Sequence, residues 1–308
     1  MEIAAAGFHN LLLSGPPGTG KTMLARRFSS ILPPLTLEES LEVSSIYSVA
    51  GALEPDSVIL TKRPFLSPHH TVSEYAMAGG GTIPRPGVIS MAHKGILFLD
   101  ELPEFKRNVI EVLRQPLEER NVHIHRASGS YTYPADFLLI GAMNPCPCGY
   151  YPDLRRCSCS ASARRRYAGK ISGPILDRMD LCAEVSRTSL FEKPKEQDRE
   201  RWNSRSMRER VLAAHHIQEK RFAGQPFRYN SQIPGRDVER YCGMGAKEYQ
   251  LLQEVSTQMD FSARACHRLM KVARTIADLE QSEWVEESHL YEALLFKMAE
   301  IQQPLLQE

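Results

Sequence analysis

GPPGTGKT, Gly15 to Thr22, is a complete phosphate-binding loop of the form G-x-x-x-x-G-K-T. Its glycines let backbone N–H groups converge on phosphate oxygens without Cβ clashes. Lys21 supplies a point charge for the outer phosphates, and Thr22 a hydroxyl for Mg2+. Gly15, Pro16, Pro17, Gly18, Thr19, Gly20, Lys21, Thr22 and the following Met23 are the expected nucleotide contacts. Leu11, Leu12 and Leu13 suit a buried strand, and Met23 to Ile31 reads as a helix whose N-terminus faces the anion.

Outward from the loop, Leu97 to Glu101 reads LFLDE. Ile96 to Leu99 is a continuous apolar run, as in a strand covered on both faces. At its end, Asp100 can hold Mg2+ through the ion's water shell, and Glu101 can polarise the attacking water as a general base. Alone, the pair could be a surface strand cap. Beside the loop, the expected reaction is hydrolysis of a nucleoside triphosphate, with ATP and Mg2+ as cofactors.

Phe137–Ala142 and Leu181–Val185 are two more candidate strands, and Pro64–His69 is a weaker fifth. Their alternation with helical or irregular stretches predicts an α/β fold with a parallel sheet flanked by helices. Pro33-Pro34 stops the first helix, and the glycines at 79–81 with Pro84, Pro86 and Gly87 mark an irregular excursion. The polar, Pro194-bearing segment near Thr188–Glu200 reads as a linker. Beyond it, Met207, Val211, Ala214 and Ile217, then Leu269, Val272, Ile276 and Leu279, recur at helical spacing. The expected organisation is a nucleotide-binding domain over 1–190, a linker over 191–200 and a small all-helical lid over 201–308.

A chain of 308 residues with 42% hydrophobic content suits one large or two modest globular domains. It has no run of about 18 apolar residues, so no membrane span is expected. The start, MEIAAAGFHN, lacks the basic and long apolar regions of a secretory signal, which predicts a cytoplasmic protein. With a net charge of +1, any nucleic-acid binding must come from local patches.

Cys146, Cys148, Cys157 and Cys159 form such a cluster of chemistry. Thiols this close in a cytosolic chain point to a tetrahedral Zn2+ site more than to disulfides, with reduced or redox-labile cysteines as the alternative. The loop is also basic, carrying Arg155, Arg156, Arg164, Arg165, Arg166 and Lys170 with Tyr150, Tyr151 and Tyr167 between them. It is either a nucleic-acid contact, with tyrosines as stacking platforms, or a solvated surface loop. Asn121–Pro134 reads as a β-hairpin with Arg126 near its tip, again either structural or a DNA contact. His69-His70, His123, His125 and His215-His216 are read as structural or exposed, not as ligands.

Asn144 ends a strand; it either orients the attacking water or merely starts a turn before Pro145. Arg178, in SGPILDRMDL, is either an arginine finger for a neighbouring subunit's nucleotide or a salt-bridge partner of Asp177 or Asp180. Arg264 follows the natural N-cap Ser262 and shares a face with Arg268 and Lys271, as a phosphate sensor or as part of a solvated basic face.

These pieces in this order resemble the AAA+ ATPases, and within them the magnesium-chelatase-like ComM/YifB family. GPPGTGKT at Gly15–Thr22, RPFLSPHHT at Arg63–Thr71, GILFLDELPEF at Gly95–Phe105 and AMNPCPCGY at Ala142–Tyr150 carry the resemblance. ISGPILDRMDL at Ile171–Leu181 and SARACHRLMKVARTIADL at Ser262–Leu279 complete it. The resemblance implies a homo-hexameric DNA helicase that promotes branch migration during natural transformation and recombination, on single-stranded or branched DNA. An AAA+ protein remodeller or a magnesium-chelatase-type chaperone is the other activity it covers. It implies Walker A roles for Lys21 and Thr22, Walker B roles for Asp100 and Glu101, sensor 1 at Asn144, the finger at Arg178 and sensor 2 at Arg264. Residues 79–95 resemble the helix-2 insert and 121–134 the pre-sensor-1 hairpin, elements that face the pore in related rings and turn Arg126 toward DNA. The family carries a Lon-protease-like domain ahead of this core. The present chain resembles the ATPase core without that domain, and no protease activity is expected of it.

Overall fold

The computed structural model describes residues 1–53, 59–81, 84–126, 129–187 and 196–301. Its strands are β1 (Leu11–Ser14), β2 (Phe65–Leu66), β3 (Gly79–Gly80), β4 (Arg85–Pro86), β5 (Ile96–Leu99), β6 (Asn121–Arg126), β7 (Gly129–Pro134), β8 (Leu138–Met143) and β9 (Leu181–Glu184). Five of them form one sheet in the order β2-β5-β8-β1-β9. The pairs β2–β5 and β5–β8 are parallel, with Phe65 opposite Ile96 and Phe98 opposite Ile140. This is the AAA+ P-loop architecture, a parallel sheet flanked by helices with a helical C-terminal part.

Burial follows strand position. The central strands β1, β5 and β8 are buried along their whole length, as their unbroken Leu and Ile runs require. The edge strand β2 is two residues long and half-exposed, which is why its signal in the sequence is weak. The expected strands at Leu11, Ile96, Phe137 and Leu181 are all present, with ends displaced by a residue or so.

The described chain forms two compact units. One comprises Leu12–Ser29 and Pro34–Arg178, and carries the phosphate loop, β5, the β6–β7 hairpin and the four clustered cysteines. Its first helix runs Lys21–Phe28 rather than Met23–Ile31. It begins at Lys21 because Gly20, at φ 85°, turns the loop directly into it; after Ser29, Ile31 and Leu32 turn inward to be buried. The Gly-Pro excursion is less irregular than expected, since β3 and β4 pair antiparallel and lead into a short helix Val88–Met91. The β6–β7 hairpin is present, with Val122 and Ile124 buried.

The other unit comprises Met1–Leu11, Ser30–Pro33 and Met179–Glu308. Its described helices include Glu2–Gly7, Ser204–Arg221, Ala263–Leu279 and Glu287–Ile301. The N-terminal helix is fastened to the later ones, since Gln218 Nε2 donates to the Ala6 carbonyl (3.0 Å) and Arg210 pairs with Glu2. Residues 188–195 of the expected linker lie outside the described residues, and 196–200 belong to a helix, Glu196–Arg201. No described helix is long and apolar enough to cross a membrane.

Candidate nucleotide site and cysteine cluster

The phosphate loop joins β1 to the helix Lys21–Phe28. Gly18 and Gly20 lie at φ 77° and 85°, which only glycine adopts without strain, as the tight turn of a phosphate loop requires. Gly15 N–H donates to the Met143 carbonyl (3.2 Å), so the loop is anchored to the end of β8. Lys21 is buried and its Nζ donates to the carbonyls of Gly15 (2.6 Å) and Pro16 (2.9 Å) and to Asn144 Oδ1 (3.3 Å). Burial lowers the Lys21 pKa, with Asp100 opposing the shift. A polyanion beside this ammonium would therefore be favoured.

Thr22 Oγ1 donates to Asp100 Oδ2 at 2.7 Å, so the two groups suited to one hydrated Mg2+ already touch. Asp100 Oδ1 accepts from the Glu101 N–H (3.0 Å). Glu101 itself stands at φ 52°, a left-handed backbone that costs a non-glycine residue on the order of 1 kcal/mol. Its carboxylate is exposed and lies 3.7 Å from His70 Nδ1. From sequence alone His70 is expected to be structural or exposed, and the fold sets it beside Glu101. The signal that could have found it is position, because it closes the segment that begins with β2, the sheet neighbour of β5.

The four cysteine sulfurs lie within 4.8 Å of one another. Cys146 Sγ is 3.4 Å from Cys148 Sγ and 3.7 Å from Cys157 Sγ. A tetrahedral ion with Zn–S bonds of about 2.3 Å separates its sulfurs by about 3.8 Å, so this donor set fits zinc. The protons are shared unevenly in so tight a group. The Tyr150 backbone N–H and the neighbouring thiols bring Cys148 down to about 6, while burial pushes Cys157 up to about 12.

Some basic residues of this loop brace the loop itself. Arg164 donates to the Cys159 carbonyl (2.8 Å) and stacks over the Tyr151 ring (4.4 Å), and Arg156 stacks over Tyr150 (4.4 Å). Tyr167, read as a stacking platform, is buried instead. Arg165 and Arg166 are exposed on the helix Ala161–Ala168. Arg126 ends β6 opposite Gly129, and its side chain lies outside the described residues. Tyr133 of the hairpin donates to the Pro84 carbonyl (2.8 Å), tying the hairpin to the excursion before β5.

Lys21, Thr22, Asp100 and Asn144 are thus brought into contact, and Glu101 adjoins them. Arg178 is not among them. Its guanidinium donates to the Pro174 carbonyl and pairs with Glu118 (2.5 Å), a partner the local sequence did not offer. Glu118 is 60 positions away, beyond the reach of local reading. Arg264 lies in the other unit, exposed in the first turn of the helix capped by Ser262, whose Oγ accepts from Ala265 N–H (3.3 Å). The expected basic face is not uniformly solvated. Lys271 donates to the Ser231 carbonyl (3.1 Å), and half-buried Arg268 acts on Asp180. Burial would raise the Asp180 carboxyl, but the His9 hydrogen bond, the His9 and Arg268 charges and the Asn10 N–H hold it below its usual value.

The family model described as magnesium chelatase, subunit ChlI, matches residues 1–192, and that of the ChlI C-terminal region matches 201–297. The chain is 45% identical over 302 residues to the uncharacterized protein YifB of Salmonella typhimurium, covering 96% of this chain and 57% of that protein. It is 43% identical over 297 residues to the competence protein ComM of Haemophilus influenzae, with the same coverage of each. A shorter similarity, 29% over 130 residues, relates 42% of the chain to 18% of the magnesium-chelatase 67 kDa subunit of Chlorobaculum parvum. The chain thus spans little more than half the length of the first two relatives.

Proposed function

We propose a function from one premise: this chain belongs to the magnesium chelatase ChlI family. It is the ATPase core of an AAA+ ring motor that acts on DNA, a cytoplasmic homo-hexamer driving branch migration in natural transformation and recombination. The observation that carries the ATPase reading is the contact of Lys21 with Asn144 beside that of Thr22 with Asp100. Lys21 and the backbone N–H groups of the loop, those of the non-proline residues from Gly15 to Met23, bind the triphosphate, and Thr22 and Asp100 would hold Mg2+, which would supply charge neutralisation. Glu101 takes the proton of the attacking water, and Asn144 orients that water. Arg178 and Arg264 stabilise phosphoryl charge, Arg178 from a neighbouring subunit. Cys146, Cys148, Cys157 and Cys159 hold a structural zinc ion.

The DNA reading is supported by the 43% identity to a competence protein and by exposed Arg165 and Arg166. Arg126 and Arg164 complete the proposed contact set, with Arg164 acting through the loop it braces. The similarity to a magnesium-chelatase subunit supports the second reading, the same engine working on a polypeptide or metal-insertion partner.

Steady-state ATP turnover tests the engine. Lys21→Ala is expected to weaken nucleotide binding, and Glu101→Gln to retain binding while turnover falls by at least about a hundredfold. Parental turnover in the Glu101 variant would sink the assignment. Branched DNA is expected to stimulate turnover, with affinity dropping steeply as salt rises. Turnover that ignores DNA but responds to a protein partner would favour the remodeller.

A further inference from the structure

The cysteine loop is built into the nucleotide site at both of its ends. At its start, Asn144 stands two positions before Cys146, and its Oδ1 accepts from Lys21 Nζ. At its end, Cys159 is followed at once by Ser160, the N-cap of the helix Ala161–Ala168, whose Oγ accepts from Ala163 N–H (3.2 Å). That helix carries buried Tyr167, whose hydroxyl lies near enough to the Asn144 backbone for it to ease the rise that burial imposes on the phenol. Asn144 therefore adjoins both the chain entering the cluster and the helix leaving it.

The middle of the loop touches the phosphate loop. Gly149 follows Cys148 directly, and its N–H donates to the Cys146 carbonyl (2.9 Å), closing a turn around the first two thiols. It stands at φ 82°, and a Cβ there would lie 2.6 Å from Pro17 Cδ and 3.7 Å from Asn144 Cγ. Real Cβ atoms do not come so close to ring carbons, so only glycine allows this approach. Pro17 is a residue of the phosphate loop, and the turn that packs on it is shaped by Cys146 and Cys148.

We infer that the metal-loaded cysteine cluster is a clasp that positions Asn144 and the Pro17 side of the phosphate loop, so that nucleotide binding depends on the metal. Metal ligation fixes the turn Cys146–Gly149 and joins it to the helix carrying Tyr167. Without the ion, the four thiols are no longer tied to one centre, and the turn Cys146–Gly149 loses its single shape. This rests on the zinc and nucleotide assignments made above and adds the dependence of one on the other.

The test measures zinc content by mass spectrometry and the affinity of a fluorescent ATP analogue by titration on the 308-residue chain. The parent is expected to hold about one zinc. Removing it with a chelator, with helical circular dichroism retained, should weaken the analogue by about tenfold, the size of one charge-assisted hydrogen bond. Cys157→Ser should do the same. Gly149→Ala should keep its zinc and still bind the analogue about tenfold more weakly, because its Cβ displaces Pro17. Cys266→Ser, outside the cluster, should match the parent in both measurements. A folded, zinc-free parent that binds the analogue with unchanged affinity overturns the clasp, as does a zinc-loaded Gly149→Ala with parental affinity. If Gly149→Ala does not fold, the stripped parent decides. A parent that takes up no zinc from purification or reconstitution overturns the zinc assignment and the clasp with it. A parent that holds zinc but binds no analogue in any form overturns the nucleotide assignment instead.

Discussion

His93 is 3% exposed and has a use for each ring nitrogen. Its Nδ1 accepts from the Asp136 N–H (3.0 Å), so the neutral ring donates through Nε2 to Glu42 (3.0 Å). A second proton has no acceptor to meet at Nδ1. Burial lowers the His93 pKa, the Glu42 hydrogen bond opposes that, and Lys94 adds to the lowering while Asp136 and the Glu42 charge resist. The folded value thus lies below the unfolded value of about 6.5, and the unfolded chain binds more protons between the two. Stability should rise with pH across that window and level off above about 6.5, with a slope of at most ~1.4 kcal/mol per pH unit. Denaturant unfolding of parent and His93→Gln at a series of pH values checks this. The variant should lose that share of the slope; identical slopes would show that His93 does not titrate on unfolding.

The helix Ala263–Leu279 buries charge as well as apolar surface. Asp278 is wholly buried, and its carboxylate accepts from Arg221 Nη1 (2.8 Å), Arg274 Nε (3.1 Å) and Asn230 Nδ2 (2.8 Å). Arg274, 1% exposed, also donates to the carbonyls of Ser282 (2.6 Å) and Glu283 (2.8 Å), binding the helix to the chain that follows it. Removing one partner of such a group leaves uncompensated buried charge. Asp278→Ala should therefore destabilise the helical unit by about 3–5 kcal/mol, read by calorimetry or denaturant midpoint. A loss under about 1 kcal/mol would mean that water satisfies Arg221 and Arg274 when the carboxylate is gone. The Arg274–Asp278 spacing is helical, yet nothing local says that this face is turned inward, since a solvated ion pair has the same spacing.

For the whole molecule, the question is whether Arg178 acts outside its own chain. Within the chain it pairs with Glu118. A finger must reach a phosphate on a neighbouring subunit, and electrostatic help of that kind is worth about 10³–10⁵ in turnover. Arg178→Ala should leave the nucleotide affinity of the monomer nearly unchanged and abolish turnover in the assembled ring. Mixing it with Glu101→Gln subunits should restore part of the activity, because some interfaces then join an intact Glu101 to an intact Arg178. Mixed rings without rescue, or an equal loss of turnover in a proven monomer, would reduce Arg178 to the structural partner of Glu118.

The sequence by itself determined the class of fold and which side chains gather at the phosphate loop. Gly15–Thr22 and Ile96–Glu101 were legible because each packs the reactive groups and the buried strand that presents them into a few adjacent residues. The hairpin at Asn121–Pro134 and the helical C-terminal part were legible from periodicity alone, and the four cysteines from their closeness in the chain. Tertiary structure decided what no neighbour in the sequence controls. It placed β2 at an edge too short to carry a pattern, gave Arg178 a partner at Glu118, and joined the N-terminal helix to the helical unit. It also set His70 beside Glu101 and Gly149 against Pro17. Local propensity and alternation act over a few residues, whereas these contacts form only when distant segments bury one another, and their partners carry no shared local signal.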